Sequence, residues 1–204
     1  MTALIPLLIL TACIEDVGKD KAAAIVEDVP VESVENVAAG NTWAVDLSAS
    51  KVQALGAKVT KAFPLIFHEF GGEVTVDDGV VSAVSFVIEV DSLTSPHDRL
   101  TSHLKDEDFL WAEKHPQATF QSTSIASGSD VEGRTHTVTG NIEIRGKTKQ
   151  ITFPATLAVA DGKVSADTEF SIDRKDFEVM YKGKADDLVQ DKVVLTISLV
   201  APRS

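Results

Sequence analysis

Five histidines, His68, His97, His103, His115 and His136, are the side chains of this chain best suited to ligate a metal or move a proton near neutral pH. Helical zinc sites use spacings such as i, i+4, which set two imidazoles on one face. Only His97 and His103 lie close in sequence, and they are six apart, with Asp98 and Asp106 beside them. That is a loose collection rather than a ligand set, so no metal is expected and His103 is expected to cap its helix or bond a loop carbonyl. Nucleophilic chemistry has less to work with still. No G-x-S-x-G occurs, serines are scattered through alternating stretches, and the single cysteine, Cys13, stands apart from them. Asp173 and Arg174 read as groups that pair across a sheet end, not as a catalytic acid. With no glycine-rich phosphate loop either, the expectation is a protein that is not an enzyme and carries no cofactor.

Charge narrows the partners. The chain has 19 basic and 31 acidic residues, a net charge of -12. Such a surface repels phosphate backbones, and nucleic acid is not an expected partner. One cysteine also excludes any disulfide within the chain and the zinc spacings built on cysteine pairs.

The elements that would position side chains are strands. Residues 134–159, RTHTVTGNIEIRGKTKQITFPATLAV, alternate apolar and polar residues on both sides of one short break. Val138, Gly140, Ile142 and Ile144 share a face, as do Ile151, Phe153, Ala155, Leu157 and Val159, which makes a β-hairpin with one greasy side. A lone ribbon is marginal in water, so further strands must cover that side. They are present: Asn41–Leu47, Lys51–Thr60, Leu65–Val76 with a bend or bulge at Gly71-Gly72, and Val80–Val90 after the turn at Asp77-Asp78-Gly79. Gln117–Ile125, Val164–Ile172 and Val193–Leu199 follow. One helical insertion interrupts them, from Ser95 to Lys114, with Ser95-Pro96 as its expected start and Leu100 and Leu104 on one face. Eight or nine strands of this kind make an all-β domain over residues 41–204, a closed antiparallel barrel or a sandwich with its apolar faces inward.

Ahead of the strands, Met1–Ala12 is a short apolar run, and Leu10-Thr11-Ala12-Cys13 resembles the lipobox of bacterial lipoproteins, although no Lys or Arg precedes the run. That resemblance implies a signal segment at 1–12 and lipidation of Cys13, with Ile14 in the following position resembling an outer-membrane address. Residues 13–40 hold seven acids, two lysines and no aromatic residue, and are expected to be a flexible acidic tether spanning roughly 30 Å.

Several motifs together resemble one family. Ser102-His103-Leu104-Lys105-Asp106 with Asp108-Phe109, His115-Pro116-Gln117-Ala118-Thr119-Phe120, Thr139 to Gly146 with Thr148-Lys149, and Ser171-Ile172-Asp173-Arg174 with Tyr181 are similar to the signature segments of the YceI family. Phe63-Pro64, Leu110 and Glu178 depart from its usual pattern. The resemblance runs from about Thr42 to Ala201. It implies an extended lipocalin-like antiparallel barrel of about eight strands whose lumen holds a polyisoprenoid, such as a quinone tail, for carriage or storage at the bacterial cell envelope. With the lipobox-like segment, the expected location is the periplasmic side of the envelope, lipid-anchored to the outer membrane through Cys13, and a homodimer is left open. About eight strands is a size at which a barrel is either filled by its own side chains or admits one small ligand. The expected lumen lining is Phe67, Val84, Phe86, Ile88, Phe120, Ile142, Ile144, Ile151, Phe153, Leu157, Phe170 and Ile172. The alternative is a structural or protein-interaction lipoprotein in which the same residues interlock as a solid core without a ligand.

Overall fold

The computed structural model describes residues 14–29, 40–185 and 187–203. The signal segment, Cys13 and the middle of the expected tether lie outside them. In chain order the strands are β1 (Ile25–Asp28), β2 (Asn41–Ala44), β3 (Lys51–Ala57), β4 (Ala62–Phe67), β5 (Phe70–Asp77), β6 (Val80–Glu89) and β7 (Leu93–Thr94). After α1 (Asp98–Lys105), the one α-helix among the described residues, come β8 (Gln117–Ser127), β9 (His136–Ile144), β10 (Lys147–Ala160), β11 (Lys163–Asp173), β12 (Gly183–Lys184), β13 (Asp187–Leu188) and β14 (Lys192–Pro202).

The alternation read from the sequence appears as antiparallel pairing in the order β5, β6, β8, β9, β10, β11, β14, β3, β4. This row closes on itself because β4 runs into β5 and β6 into β7. Phe70 pairs with Ile88 in one ladder and Phe67 with Leu93 in the next, so two bent strands turn the corner together. Eight staves result, an antiparallel barrel with β2 laid along β5. Bending two strands at one corner satisfies the backbone groups that an open edge would leave bare.

Three turns fix the register. Asp78-Gly79, Arg145-Gly146 and Asp161-Gly162 all have positive φ at both central residues, the two-residue hairpin geometry whose twist matches the flanking strands. The bulge expected at Gly71-Gly72 lies instead between Thr75 and Val76. Gly72 serves a different need, since a Cβ there would stand 2.6 Å from the Phe86 ring. Gly140 is placed likewise, with the Phe120 ring and the Gln121 carbonyl both 2.5 Å from where its Cβ would be. Gly140→Ala should therefore cost about 1–3 kcal/mol, the usual penalty of overpacking, seen as a lower urea midpoint at unchanged slope.

Two sequence expectations are corrected here. The helix begins at Asp98 with His97 as its capping residue, not at Ser95-Pro96. Ser95 is engaged elsewhere: its amide donates to Thr101 Oγ1 at 2.9 Å, and its hydroxyl meets the same atom at 2.9 Å and the His97 carbonyl at 3.1 Å. The second correction is larger. Residues 14–29 are not a free tether: they are bonded to the barrel, and Ala22 to Asp28 join its wall. β10 pairs with β9 along its first half and with β11 only from Thr156 onward, so β10 and β11 diverge. β1 fills the wedge, pairing antiparallel with Lys149–Thr152, while Ala24 N donates to Ser171 O and Ser171 N to Ala22 O, both at 2.8 Å. Ala24 and Val26 pack inward on the core, and ion pairs Lys21–Glu169 (2.6 Å) and Lys149–Asp28 (2.6 Å) clasp the two margins. Two open strand margins, not the composition of the segment, decide its structure.

Candidate functional site

Alternation puts one apolar face of every stave inside, and the interior is divided in two. At the end carrying the Asp78-Gly79 and Asp161-Gly162 turns, Trp43, Val74, Val76, Val81, Val164 and Ala201 are buried together and fill the barrel. Toward the other end the interior opens into a cavity of about 270 Å³. All twelve residues expected to line a lumen border this one space. Phe153 stacks on Phe170 at 4.3 Å between ring centroids and meets Phe120 at 5.6 Å, while Phe70 and Phe86 lie 5.6 Å apart. The wall is almost wholly hydrocarbon. Such a surface offers dispersion and exclusion of water.

The sequence reading missed part of this wall. Leu195, Ile197 and Leu199 of β14 also border the cavity. Their alternation with Thr196 and Ser198 is plain in the sequence, but apolar Val194 and Val200 flank the run on the opposite face, which blurs the inner one. Leu100 and Leu104 of α1, with Phe109 and Leu110 after it, border the cavity as well, so the helical insertion closes over its mouth. Non-local packing puts them there. His103, Phe109 and Tyr181 form a cluster of three rings with centroids 4.9 to 5.0 Å apart. This is the role His103 takes in place of the expected cap or carbonyl bond, with Asp106 at 3.8 Å.

Polar groups gather at the mouth. Arg174, only 6% exposed, donates from Nε to the Gln190 carbonyl at 3.0 Å, from Nη1 to the Val179 carbonyl and from Nη2 to Asp191 at 3.0 Å. It thereby ties the segment after β11 back to the approach to β14. Lys175, at 2.6 Å, and then Arg174 hold the Asp191 carboxyl below the usual carboxylate range. The Thr60 hydroxyl and Lys58 lower Asp187 in the same way. Arg145 joins three pieces, donating to the Glu107 carbonyl at 2.8 Å and the Glu178 carbonyl at 2.9 Å with its guanidinium 5.7 Å from the Trp111 ring.

These depressed carboxyls set an acid dependence. A folded-state pKa below the unfolded one contributes stability above the unfolded value, near ~3.9, and that stability is lost as pH falls through the folded value. Asp191→Asn should therefore melt below the wild type at about pH 6, with the gap closing in acid beneath the folded pKa. Paired melting curves across that range would show it, and a gap independent of pH would refute it.

The histidines are dispersed. His68 Nε2 meets Thr94 Oγ1 at 2.8 Å, His136 Nδ1 meets Thr135 Oγ1 at 2.7 Å, and His115 lies against Trp111 and Gly146. Among the described residues no three His, Cys, Asp or Glu side chains come together as a metal set.

The geometry has counterparts. A family model described as a YceI-like domain matches residues 43–201. The crystal structure of BcnA from Burkholderia cenocepacia is similar with a TM-score of 0.65 and 29% identity, over 77% of this chain and 99% of that one. A polyisoprenoid binding domain from Saccharophagus degradans superposes with a TM-score of 0.64 over 79% of this chain and 98% of that one; at 14% identity it bears on the fold alone. A UPF0312 protein of Pectobacterium carotovorum is 36% identical over 93 residues, 45% of this chain and 46% of that protein. The chain thus spans about half the length of the curated relatives it matches.

Proposed function

The chain belongs to the YceI-like domain family, and from that premise we propose that it binds an isoprenoid or similar long-chain lipid in its barrel, without catalysis. The observation that carries this reading is the cavity: hydrocarbon-walled, plugged at one end and polar only at the other. Each methylene of a guest buried there contributes ~0.8 kcal/mol, so a chain molecule needs length and dryness more than polar partners. The choice of guest rests on that geometry, in a fold shared with a solved polyisoprenoid binding domain. The open half of the interior weighs against the alternative of a solid core.

The cellular part of the reading is carriage or storage at the bacterial envelope, with Cys13 as a lipidated anchor on the periplasmic side. Cys13 is outside the described residues. Its neighbour Ile14 is described, and donates its amide to the Val59 carbonyl at 2.9 Å, one residue from Lys58 on the cavity wall. An anchor at Cys13 therefore puts the mouth, not the plugged end, next to a bilayer.

Organic extraction of the purified protein followed by mass spectrometry tests the proposal. A co-purifying prenyl-type lipid is the expected result. Protein that is lipid-free and takes up no added prenyl lipid would overturn it.

A further inference from the structure

We infer that Arg145 is the head-end subsite of the cavity, where an acceptor oxygen at the polar end of a long-chain lipid is bound. This rests on the lipid-binding reading above and adds to it the polarity of the guest and the direction in which it lies.

The charged residues bordering the cavity are Lys58, Arg145, Asp167 and Arg174. Three are spoken for. Lys58 pairs with Asp187 at 3.2 Å, Arg174 with Asp191, and the Asp167 carboxylate takes the Ser198 hydroxyl on the exposed side. Arg145 alone of the three cations makes no ion pair within 4.0 Å among the described residues, the Glu178 carboxylate acting on it only at longer range. Glu178 offers it a backbone carbonyl, but gives its own carboxylate to Lys147 at 2.9 Å. Both Nη atoms of Arg145 donate to carbonyls, and its Nε is buried without a hydrogen-bond partner among the described residues. Each Nη keeps a second N–H beyond the one given to a carbonyl, and a cationic donor makes the stronger kind of bond.

Backbone strain points to the same group independently. Among the described residues five non-glycine residues have positive φ: Asp78, Trp111, Arg145, Asp161 and Glu178. Asp78, Arg145 and Asp161 sit in two-residue hairpin turns, where that conformation is the preferred one. The other two meet at the Arg145 guanidinium, Trp111 as the ring beside it and Glu178 as the carbonyl it holds. Left-handed backbone is unfavourable for L-residues and persists where surrounding structure enforces it, often at ligand clamps. Enforcement is visible here. Gly146, next in the turn, lies so close to His115 that a Cβ would come within 2.6 Å of the ring, and His115 in turn packs on Trp111. The Arg145 fork is thus set before any guest arrives, and with the far end plugged the tail must point toward Trp43.

The test is competition binding followed by native mass spectrometry, with three probes of matched chain length: a prenyl phosphate, a prenylated quinone and an isoprenoid hydrocarbon with no head. The wild type should bind at least one oxygen-bearing probe about tenfold more tightly than the hydrocarbon, the fold-change of one charge-assisted bond. Which probe gains tells phosphate from carbonyl oxygen. Arg145→Met should lose that preference and keep its hydrocarbon affinity. Arg145→Lys, which keeps the charge but not the fork, should lose most of it too. A wild type indifferent to the head, or an Arg145→Met that still discriminates, overturns the subsite and leaves the lipid-binding reading intact. Failure of all three probes to bind overturns both.

Discussion

Ala166→Trp should leave the barrel folded and lower its affinity for a long-chain lipid about a hundredfold. Ala166 borders the cavity at its deep end, paired with Leu157 on one side and Leu199 on the other, and touches both apolar clusters of the interior. An indole there would occupy space a guest needs. Excluding about four methylenes at ~0.8 kcal/mol each removes about 3 kcal/mol of binding, or about two orders of magnitude. Because the side chain grows into open space, the loss of stability should fall at the low end of the ~1–3 kcal/mol typical of overpacked cores. Titration with a fluorescent long-chain probe, beside a far-ultraviolet dichroism melt, separates the two effects. Unchanged affinity in a folded variant would mean that lipid sits somewhere other than this cavity.

Arg174→Ala should cost about 3 kcal/mol of stability. The side chain is buried and serves the carbonyls of Val179 and Gln190 together with Asp191. Its removal orphans acceptors that water reaches poorly, at ~1–3 kcal/mol for each one fully buried, while Asp191, 42% exposed, can return to solvent. Arg174→Lys should recover little, because an ammonium cannot span three acceptors in a plane. Denaturation in urea would show a lower midpoint, and a wild-type midpoint for the alanine variant would show that the guanidinium does not hold the mouth together.

The wall of the cavity was legible in the sequence because inward and outward positions alternate strictly in most staves. Val84, Phe86 and Ile88, or Ile142 and Ile144, announce their face without reference to any other part of the chain. In β14 the outward face is mixed, with Thr196 and Ser198 between Val194 and Val200, and there the inner face is less sharply marked. The mouth was legible only as a helical insertion. That Leu100, Leu104 and Phe109 turn into the lumen, and that Arg145 and Arg174 bind the surrounding loops, depends on partners about 15 to 40 residues away. Residues 14–29 are the clearest failure. Ala22, Ala24 and Val26 do alternate with outward Ala23 and Ile25, but the motif is short and weakly apolar. What gives it a structure is a vacancy between Lys149–Thr152 and Ser171, formed by chain more than 120 residues further on.

That inserted strand also changes the outline of the tube. Barrel diameter grows with strand number. With eight strands around its base and a ninth entering only near the opening, the interior tapers like a funnel. A slender tail can descend until the narrowing stops it, and the broader rim has girth to spare for whatever bulkier group follows.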